Sequence, residues 1–266
     1  MTRVAWLALL SCMGCHSLLV QAPQLPRAVS SDTDRVADPG TRPQAAVEPE
    51  LHLGRAASLA AQGDQEAAAE ELRQYVAQRP EHLMARVQLA EMFFRLGRYD
   101  DARLHFELFV ALAQDHGDEA VKHLIHCHSR LVEIAEEQHD CYEEHLNRGI
   151  GLLLLARARG GPGREVGGLS PESLLHRAAA ELQAARAEQP EQARPHYYLY
   201  LAWKALGQHS PALRSLEAAD RHALLSRLTP KERRDLQTAC VREADRLRPV
   251  HATGPLEARS ATVTAR

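Results

Sequence analysis

Apolar residues recur with a helical period along the chain between residues 49 and 248, and this pattern is absent from both ends. In the stretch 118–137, for example, Leu124, Cys127 and Leu131 fall on one stripe of a helix that turns about 100° per residue. Such stripes are the buried faces of amphipathic helices. The pattern therefore predicts a helical domain over residues 49–248.

Local signals place several helix ends within this domain. Ser170 followed by Pro171 is typical of a helix start, and Asp140 with Glu143 has the spacing of a capping box. The glycine-rich stretch 160–169 is predicted to be a loop. We expect helices near residues 118–137, 140–158, 171–188 and 230–247.

Three segments repeat the same spacing of small and large residues. Each has a glycine, an alanine five positions later and a large apolar residue four positions after that. The offset between the first two copies is 34 residues. The three sets are Gly63, Ala68 and Leu72; Gly97, Ala102 and Phe106; and Gly207, Ala212 and Leu216.

A fixed period of this length is typical of stacked helix pairs. Glycine takes the tight turn between two helices, and alanine lets the second helix approach the first closely. The large residue four positions on lies on the same face. Three predicted helices separate the second copy from the third, whereas pairs need an even number. One helix is therefore extra, or one predicted helix is wrong. The last helix, near 230–247, is expected to cap the stack with its charged outer face.

Composition supports an all-α fold and narrows the function. Aromatic residues make up only 5% of the chain, while alanine, leucine and arginine are plentiful, which favours helix over sheet. A net charge of -3 does not indicate nucleic-acid binding. The chain has no G-x-S-x-G, P-loop, H-E-x-x-H or C-x-x-C-H motif. We therefore predict that it is not an enzyme and has no cofactor.

The repeated segments resemble the tetratricopeptide repeat family. The middle copy carries the family's apolar and small residues on both helices: Leu89, Ala90, Phe93, Ala102 and Phe106. It departs from the family pattern at Arg86, where the family has Trp, and at Gln114, where it has Pro. The resemblance implies an all-α solenoid of stacked antiparallel helix pairs, with a C-terminal capping helix and disordered termini.

In this family the first helices of the pairs line a concave groove that binds peptides or partner helices. The resemblance thus implies a non-catalytic interaction scaffold whose partner is an unidentified protein or peptide. The groove residues that it implies are Val87, Glu91, Phe94, Arg95, Tyr197, Leu201 and Lys204. The alternative for Phe94 and Tyr197 is that they simply pack between neighbouring repeats.

Residues 1–15, MTRVAWLALLSCMGC, resemble a bacterial lipoprotein signal. Arg3 precedes an apolar run that is too short to span a bilayer. Lipid would attach at Cys15 or Cys12; we prefer Cys15 because Gly14 stands directly before it. The alternative is an ordinary cleaved signal with incidental cysteines.

Residues 16–48 contain scattered Pro, Ser, Asp and Gly with no apolar period, which predicts a disordered linker. Residues 249–266 are predicted to be a second disordered tail. Together with the signal, the linker predicts an exported protein that is held at the membrane of the bacterial cell envelope by lipid and faces the periplasm.

Residues 122–131, KHLIHCHSRL, raise the question of a metal site. On a helix, His126 and His128 point in nearly opposite directions, whereas His123 lies one turn from Cys127. A structural zinc site needs four ligands, so the others would have to come from elsewhere in 123–145. We predict no bound metal and a core position for Cys127. The alternative function is a metal-binding envelope protein that uses His123 and Cys127.

Overall fold

The computed structural model describes residues 48–113, 117–158 and 169–247, and these residues form ten α-helices and one short 3-10 helix. The predicted all-α fold is confirmed. The helices are α1 (Pro49–Gln62), α2 (Gln65–Gln78), α3 (Leu83–Arg95), α4 (Tyr99–Ala113), α5 (Val121–Glu137), α6 (Cys141–Ala158), α7 (Pro171–Glu188), α8 (Ala193–Ala205), α9 (His209–His222) and α10 (Pro230–Leu247). The 3-10 helix, Gly117–Ala120, precedes α5.

Consecutive helices pack against each other in antiparallel pairs, as the repeat predicted. The pairs α1–α2, α3–α4 and α8–α9 are the three copies found in the sequence. Their alanines Ala68, Ala102 and Ala212 are buried, and so are the large residues that follow them. The described residues therefore form a solenoid in which each helix packs on the next one along the chain.

The turns between paired helices have a common backbone geometry. Gly63, Gly97 and Gly207 have φ angles of 87°, 70° and 71°, in the left-handed region that glycine adopts without strain. His139 takes the same position between α5 and α6 with a φ of 57°. In each turn the next residue donates its backbone N–H to a carbonyl of the preceding helix, as Arg98 does to Phe93.

All three helices that were predicted between the second and third copies are present, as α5, α6 and α7. One of them lies outside the regular pairs. Helix α6 makes its most extensive contact with α7, although residues 159–170 separate them in sequence. Ala178 and Leu182 of α7, with Pro190 just after its end, have the spacing of Ala68, Leu72 and Pro80 in the first copy. The fourth pair is thus α6–α7, and α5 is the helix outside the pairs.

Gly149 explains the close packing of α6 on α7. A Cβ atom built on Gly149 would lie 2.6 Å from Leu182 Cγ, 2.9 Å from Leu182 Cδ2 and 3.3 Å from the Ala178 carbonyl oxygen. Any larger residue would push the two helices apart or displace Leu182. Glycine is therefore a packing requirement at this position.

The buried apolar residues form two clusters that meet at α5. One cluster runs from α1 to α5 and includes Phe106, Phe109 and Cys127. The other draws on α5 to α10 and is centred on residues such as Leu146 and Leu182. Because α5 contributes to both, it joins the two halves of the solenoid.

Helix α10 packs on α9 and ends the stack. It starts with a complete capping box: the Glu232 N–H donates to Thr229 Oγ1 at 3.1 Å, and the Thr229 N–H donates to Glu232 Oε2 at 2.7 Å. Its outer face is charged, as predicted, but Glu232 is only 2% exposed and points inward. The capping helix therefore also supplies a buried charge.

Several predictions lie outside the described residues. These are the signal at 1–15, the linker at 16–48, the tail at 249–266 and nearly all of the loop at 160–169. Among the helices of the described residues, none combines the length and apolar character that a membrane crossing requires.

We expect Gly149→Ala to lower the free energy of unfolding by about 1–3 kcal/mol, because the added methyl group overlaps Leu182. Gly54→Ala is the matched control: Gly54 is exposed in α1, and an added Cβ would meet nothing within 4 Å. It should raise stability by roughly 0.5–1 kcal/mol through helix propensity alone. Urea unfolding of both variants measures the difference, and equal effects would contradict the α6–α7 pairing.

Candidate binding cleft

A cleft of about 730 Å³ opens on the side of the solenoid formed by the first helices of the later pairs. Its lining comes from α5, α6, α8 and α10, together with Gly117, and none of it comes from the second helices α7 and α9. The extra helix and the capping helix thus form two of its four walls.

About half of the cleft lining is apolar or aromatic, and the rest is polar or charged. Ile150 and Leu154 of α6 face the cleft together with Leu124 of α5, and Tyr197 and Leu201 of α8 complete this surface. Tyr197 is only 5% exposed, and burial, with the carboxylates of Asp235 and Glu232 nearby, raises the pKa of its phenol well above the ordinary value. Tyr197 therefore presents a neutral side chain to the cleft.

Three cations lie around the cleft. Lys122 and Arg157 are exposed, and neither forms an ion pair with any residue in 48–113, 117–158 or 169–247. Lys231 is different, because its Nζ lies 2.9 Å from Asp235 Oδ2. The rim therefore has two positive charges without a carboxylate partner in the described part of the chain.

The floor contains a buried ion pair. Glu232 Oε1 accepts from Arg194 Nε at 2.9 Å and from the Tyr198 hydroxyl at 2.7 Å. Burial alone would raise the pKa of Glu232, but the Arg194 guanidinium and the Thr229 and Tyr198 hydrogen bonds hold that pKa below its ordinary value. Glu232 is thus an ionised carboxylate whose charge is already neutralised within the fold.

His128 forms another part of the floor and is 1% exposed. Its Nδ1 lies 2.9 Å from Asn147 Oδ1. The Asn147 amide nitrogen donates to the Glu143 carbonyl and carboxylate, both at 2.9 Å, so the amide oxygen accepts and His128 Nδ1 donates. Burial lowers the pKa of His128 to about 4, so its Nε2 is unprotonated and able to accept a hydrogen bond.

The structure places the predicted groove residues in two different environments. Tyr197 and Leu201 line the cleft. Val87 is 6% exposed, and Glu91 Oε1 accepts from His126 Nε2 and Arg130 Nε of α5, each at 2.8 Å.

Phe94 lies beneath the same helix, because the Arg130 guanidinium is 4.8 Å from the centre of its ring. Helix α5 therefore packs on the face of α3 that the resemblance assigned to a ligand. Phe94 also packs against Tyr99 of α4, at 5.7 Å between ring centres.

Arg95 and Lys204, the other two predicted groove residues, are exposed and lie outside the cleft lining. Lys204 Nζ donates to the Tyr200 hydroxyl at 2.6 Å and lies 3.4 Å from Glu243 Oε1 of α10. It joins the last pair to the capping helix.

The histidines of α5 each contact a different helix. His123 packs edge-on against Phe109 at 6.4 Å between ring centres, His126 pairs with Glu91, and His128 pairs with Asn147. Cys127 is fully buried, and burial raises the pKa of its thiol far above the ordinary value. Within the described ranges, no three His, Cys, Asp or Glu side chains are grouped so that they could hold a metal ion.

We expect His128→Asn to flatten the pH dependence of stability between about pH 6.5 and 4. The folded pKa of about 4 lies below the ordinary value of 6.5, so the wild-type contribution is present above pH 6.5 and is lost as pH falls toward 4. A shift of this size corresponds to roughly 3 kcal/mol. Chemical unfolding at several pH values measures it, and the exposed His176→Asn is the control that should keep the wild-type slope.

No family model and no characterised protein sequence matches the chain. Among solved structures it is similar to the MamA protein, with 12% identity over 65% of this chain and 91% of that one, at a TM-score of 0.33. MamA from Desulfovibrio magneticus RS-1 has 14% identity over 68% and 98% of the two chains, with a TM-score of 0.33. A thermophilic TPR protein from Thermus thermophilus has 18% identity over 74% and 85%, also at 0.33.

At this level of similarity these structures assign no function to the chain. The architecture rests on the geometry of the chain itself: antiparallel helix pairs, left-handed turns and buried alanines at the repeated positions. The described residues form a tetratricopeptide-repeat-like helical solenoid.

Proposed function

We propose that this chain is a non-catalytic interaction scaffold of the bacterial cell envelope, and that the cleft between α5, α6, α8 and α10 binds an acidic segment of a partner protein. The proposal rests on one observation: the same cleft presents apolar side chains and two rim cations. These cations, Lys122 and Arg157, form no ion pair within the described residues.

The shape and chemistry of the cleft support a peptide or protein segment as its ligand. Its volume of about 730 Å³ lies in the range of binding pockets, which run from about 300 to 1,000 Å³. Leu154 and Leu201, which are half-buried, supply aliphatic surface of the kind found at interface centres. An acidic side chain at the rim would pair with Lys122 or Arg157 without displacing an existing ion pair.

The buried polar groups support binding rather than proton transfer. Glu232 is held ionised by Arg194, and His128 is held neutral by burial down to about pH 4. A general acid or base works best with a pKa near the operating pH, and neither group has one. His128 Nε2 instead offers the ligand a fixed hydrogen-bond acceptor.

The cellular location in this proposal comes from residues 1–48. The signal-like stretch with Cys15 or Cys12 would supply a lipid anchor, and residues 16–48 would tether the helical domain to it. A tethered solenoid with an open cleft would collect its partner at the membrane surface.

We expect Lys122→Glu combined with Arg157→Glu to weaken binding of a fluorescent peptide that alternates Glu with Leu. Reversal of two rim charges should raise the Kd by at least about tenfold, which corresponds to 1.4 kcal/mol. Fluorescence anisotropy at low and high salt measures the effect.

Arg95→Glu is the matched control, because it reverses an exposed cation outside the cleft. It should leave binding unchanged. If this control lost binding while the rim variant kept it, the binding site would lie in the middle repeat instead. A wild-type chain that does not prefer the acidic peptide over its Gln counterpart would refute the acidic ligand.

We expect Cys12→Ser combined with Cys15→Ser to release the protein from the membrane fraction, because no thiol remains for lipid attachment. Fractionation after a high-salt wash measures the release, and metabolic labelling with a fatty-acid analogue reports the modification directly. Single variants identify the modified cysteine. Lipid labelling that persists in the double variant would refute the lipoprotein signal.

A further inference from the structure

The turn between α9 and α10 presents two adjacent leucines to solvent. Leu224 is 87% exposed and Leu225 is 90% exposed, more than any other large apolar residue in the described ranges. An exposed leucine gains nothing for folding, since its side chain stays in water. We call Leu224 and Leu225 the leucine tip.

The leucine tip stands on a turn that is held in place by hydrogen bonds. Ser226, only 6% exposed, accepts from the backbone N–H of Ala193 at 2.7 Å and donates to the His222 carbonyl at 2.9 Å. The Leu225 N–H donates to the same His222 carbonyl at 3.3 Å. Ser226 therefore fixes the base of the turn to α8 while the two leucines project away from the core.

Three arginines lie in or beside the turn that carries the tip. Arg221 and Arg227 flank it in sequence and are exposed, and Arg233 Nη1 donates to the Ala223 carbonyl at 3.4 Å, directly beside Leu224. The two acidic groups at the start of α10 are already paired, Glu232 with Arg194 and Asp235 with Lys231. The tip therefore combines two exposed leucines with three neighbouring arginines, while the exposed acidic residues nearby are Asp220 and Glu191.

These features fit a lipid surface better than a protein partner. A stable protein interface needs about 800 Å² on each side with a packed apolar centre, and two leucines ringed by arginines are far smaller. An interfacial membrane contact needs only a few apolar side chains at the depth of the headgroups and nearby cations for anionic lipid. The tip meets both requirements.

We propose that Leu224 and Leu225 insert into the interface of an anionic bilayer, with Arg221, Arg227 and Arg233 against the lipid phosphates. This contact is separate from the proposed cleft ligand and from the N-terminal lipid anchor. It would hold the folded domain against the membrane in a defined orientation.

The test places a tryptophan at the tip of the full chain, as Leu225→Trp, and mixes it with vesicles that carry brominated acyl chains. Quenching reports the depth of this one residue, however the N-terminus is attached. With vesicles of mixed phosphatidylcholine and phosphatidylglycerol we expect the emission gained over wild type to fall about twofold or more, and to recover at about 1 M salt, where charges are screened within 3 Å. With pure phosphatidylcholine we expect little quenching.

Val241→Trp is the matched control, since Val241 is 61% exposed on α10 and lies outside the tip. It should not be quenched. A second experiment measures co-sedimentation with vesicles for the double variant Leu224→Ser and Leu225→Ser. Its control is the double variant Leu104→Ser and Leu108→Ser, which changes two leucines exposed on α4. Loss of the tip leucines should reduce vesicle affinity by about tenfold relative to the α4 variant.

Three results would overturn the proposal. The first is no quenching of Leu225→Trp on anionic vesicles. The second is equal quenching of Val241→Trp, which would mean that the contact is not specific to the tip. The third is a blue shift of Leu225→Trp that depends on protein concentration without vesicles, which would assign the tip to a second copy of the chain.

Discussion

The close approach of two helices at a small residue is the interaction on which this solenoid depends. Ala102 and its counterparts are buried, and Gly149 leaves no space for a methyl group against Leu182. This contact makes α6 a partner of α7 across residues 159–170. Four helix pairs are formed in this way, and α5 stands between the second and the third of them, where it contacts α4 on one side and α6 on the other.

The position of α5 determines which surface remains available for a binding partner. Helix α5 covers α3, where Glu91 accepts from both His126 and Arg130, so a partner would have to break a half-buried ion pair to bind there. On its other side α5 contributes Leu124 and His128 to the cleft. The same helix thus contacts α3 of the early repeats through side chains and forms a wall of the cleft in the later ones.

The periodicity of the sequence predicted the helix pairs, but it did not predict the cleft. The repeated glycines and alanines predicted the turns and contacts, because each depends on residues close in sequence. His139 was not identified as a turn residue, since the left-handed backbone is uncommon outside glycine. In the sequence, Glu232 indicates only the start of a helix with a charged outer face. Its contacts with Arg194 and Tyr198 form only when the chain folds. The contribution of α10 to the cleft depends on contacts between distant segments, which no local pattern encodes.

The proposed membrane contact lies close in sequence to one wall of the cleft. Helix α10 starts at Pro230, a few residues after the leucine tip, and Lys231 and Glu232 of its first turn already line the cleft. Only the short non-helical stretch 226–229 separates the tip from α10 in sequence. With Leu224 and Leu225 in the bilayer interface, the first turn of α10 and the cleft wall that it forms would stand close to the lipid headgroups. A partner segment that is itself held at the membrane would therefore meet the α10 wall of the cleft at close range.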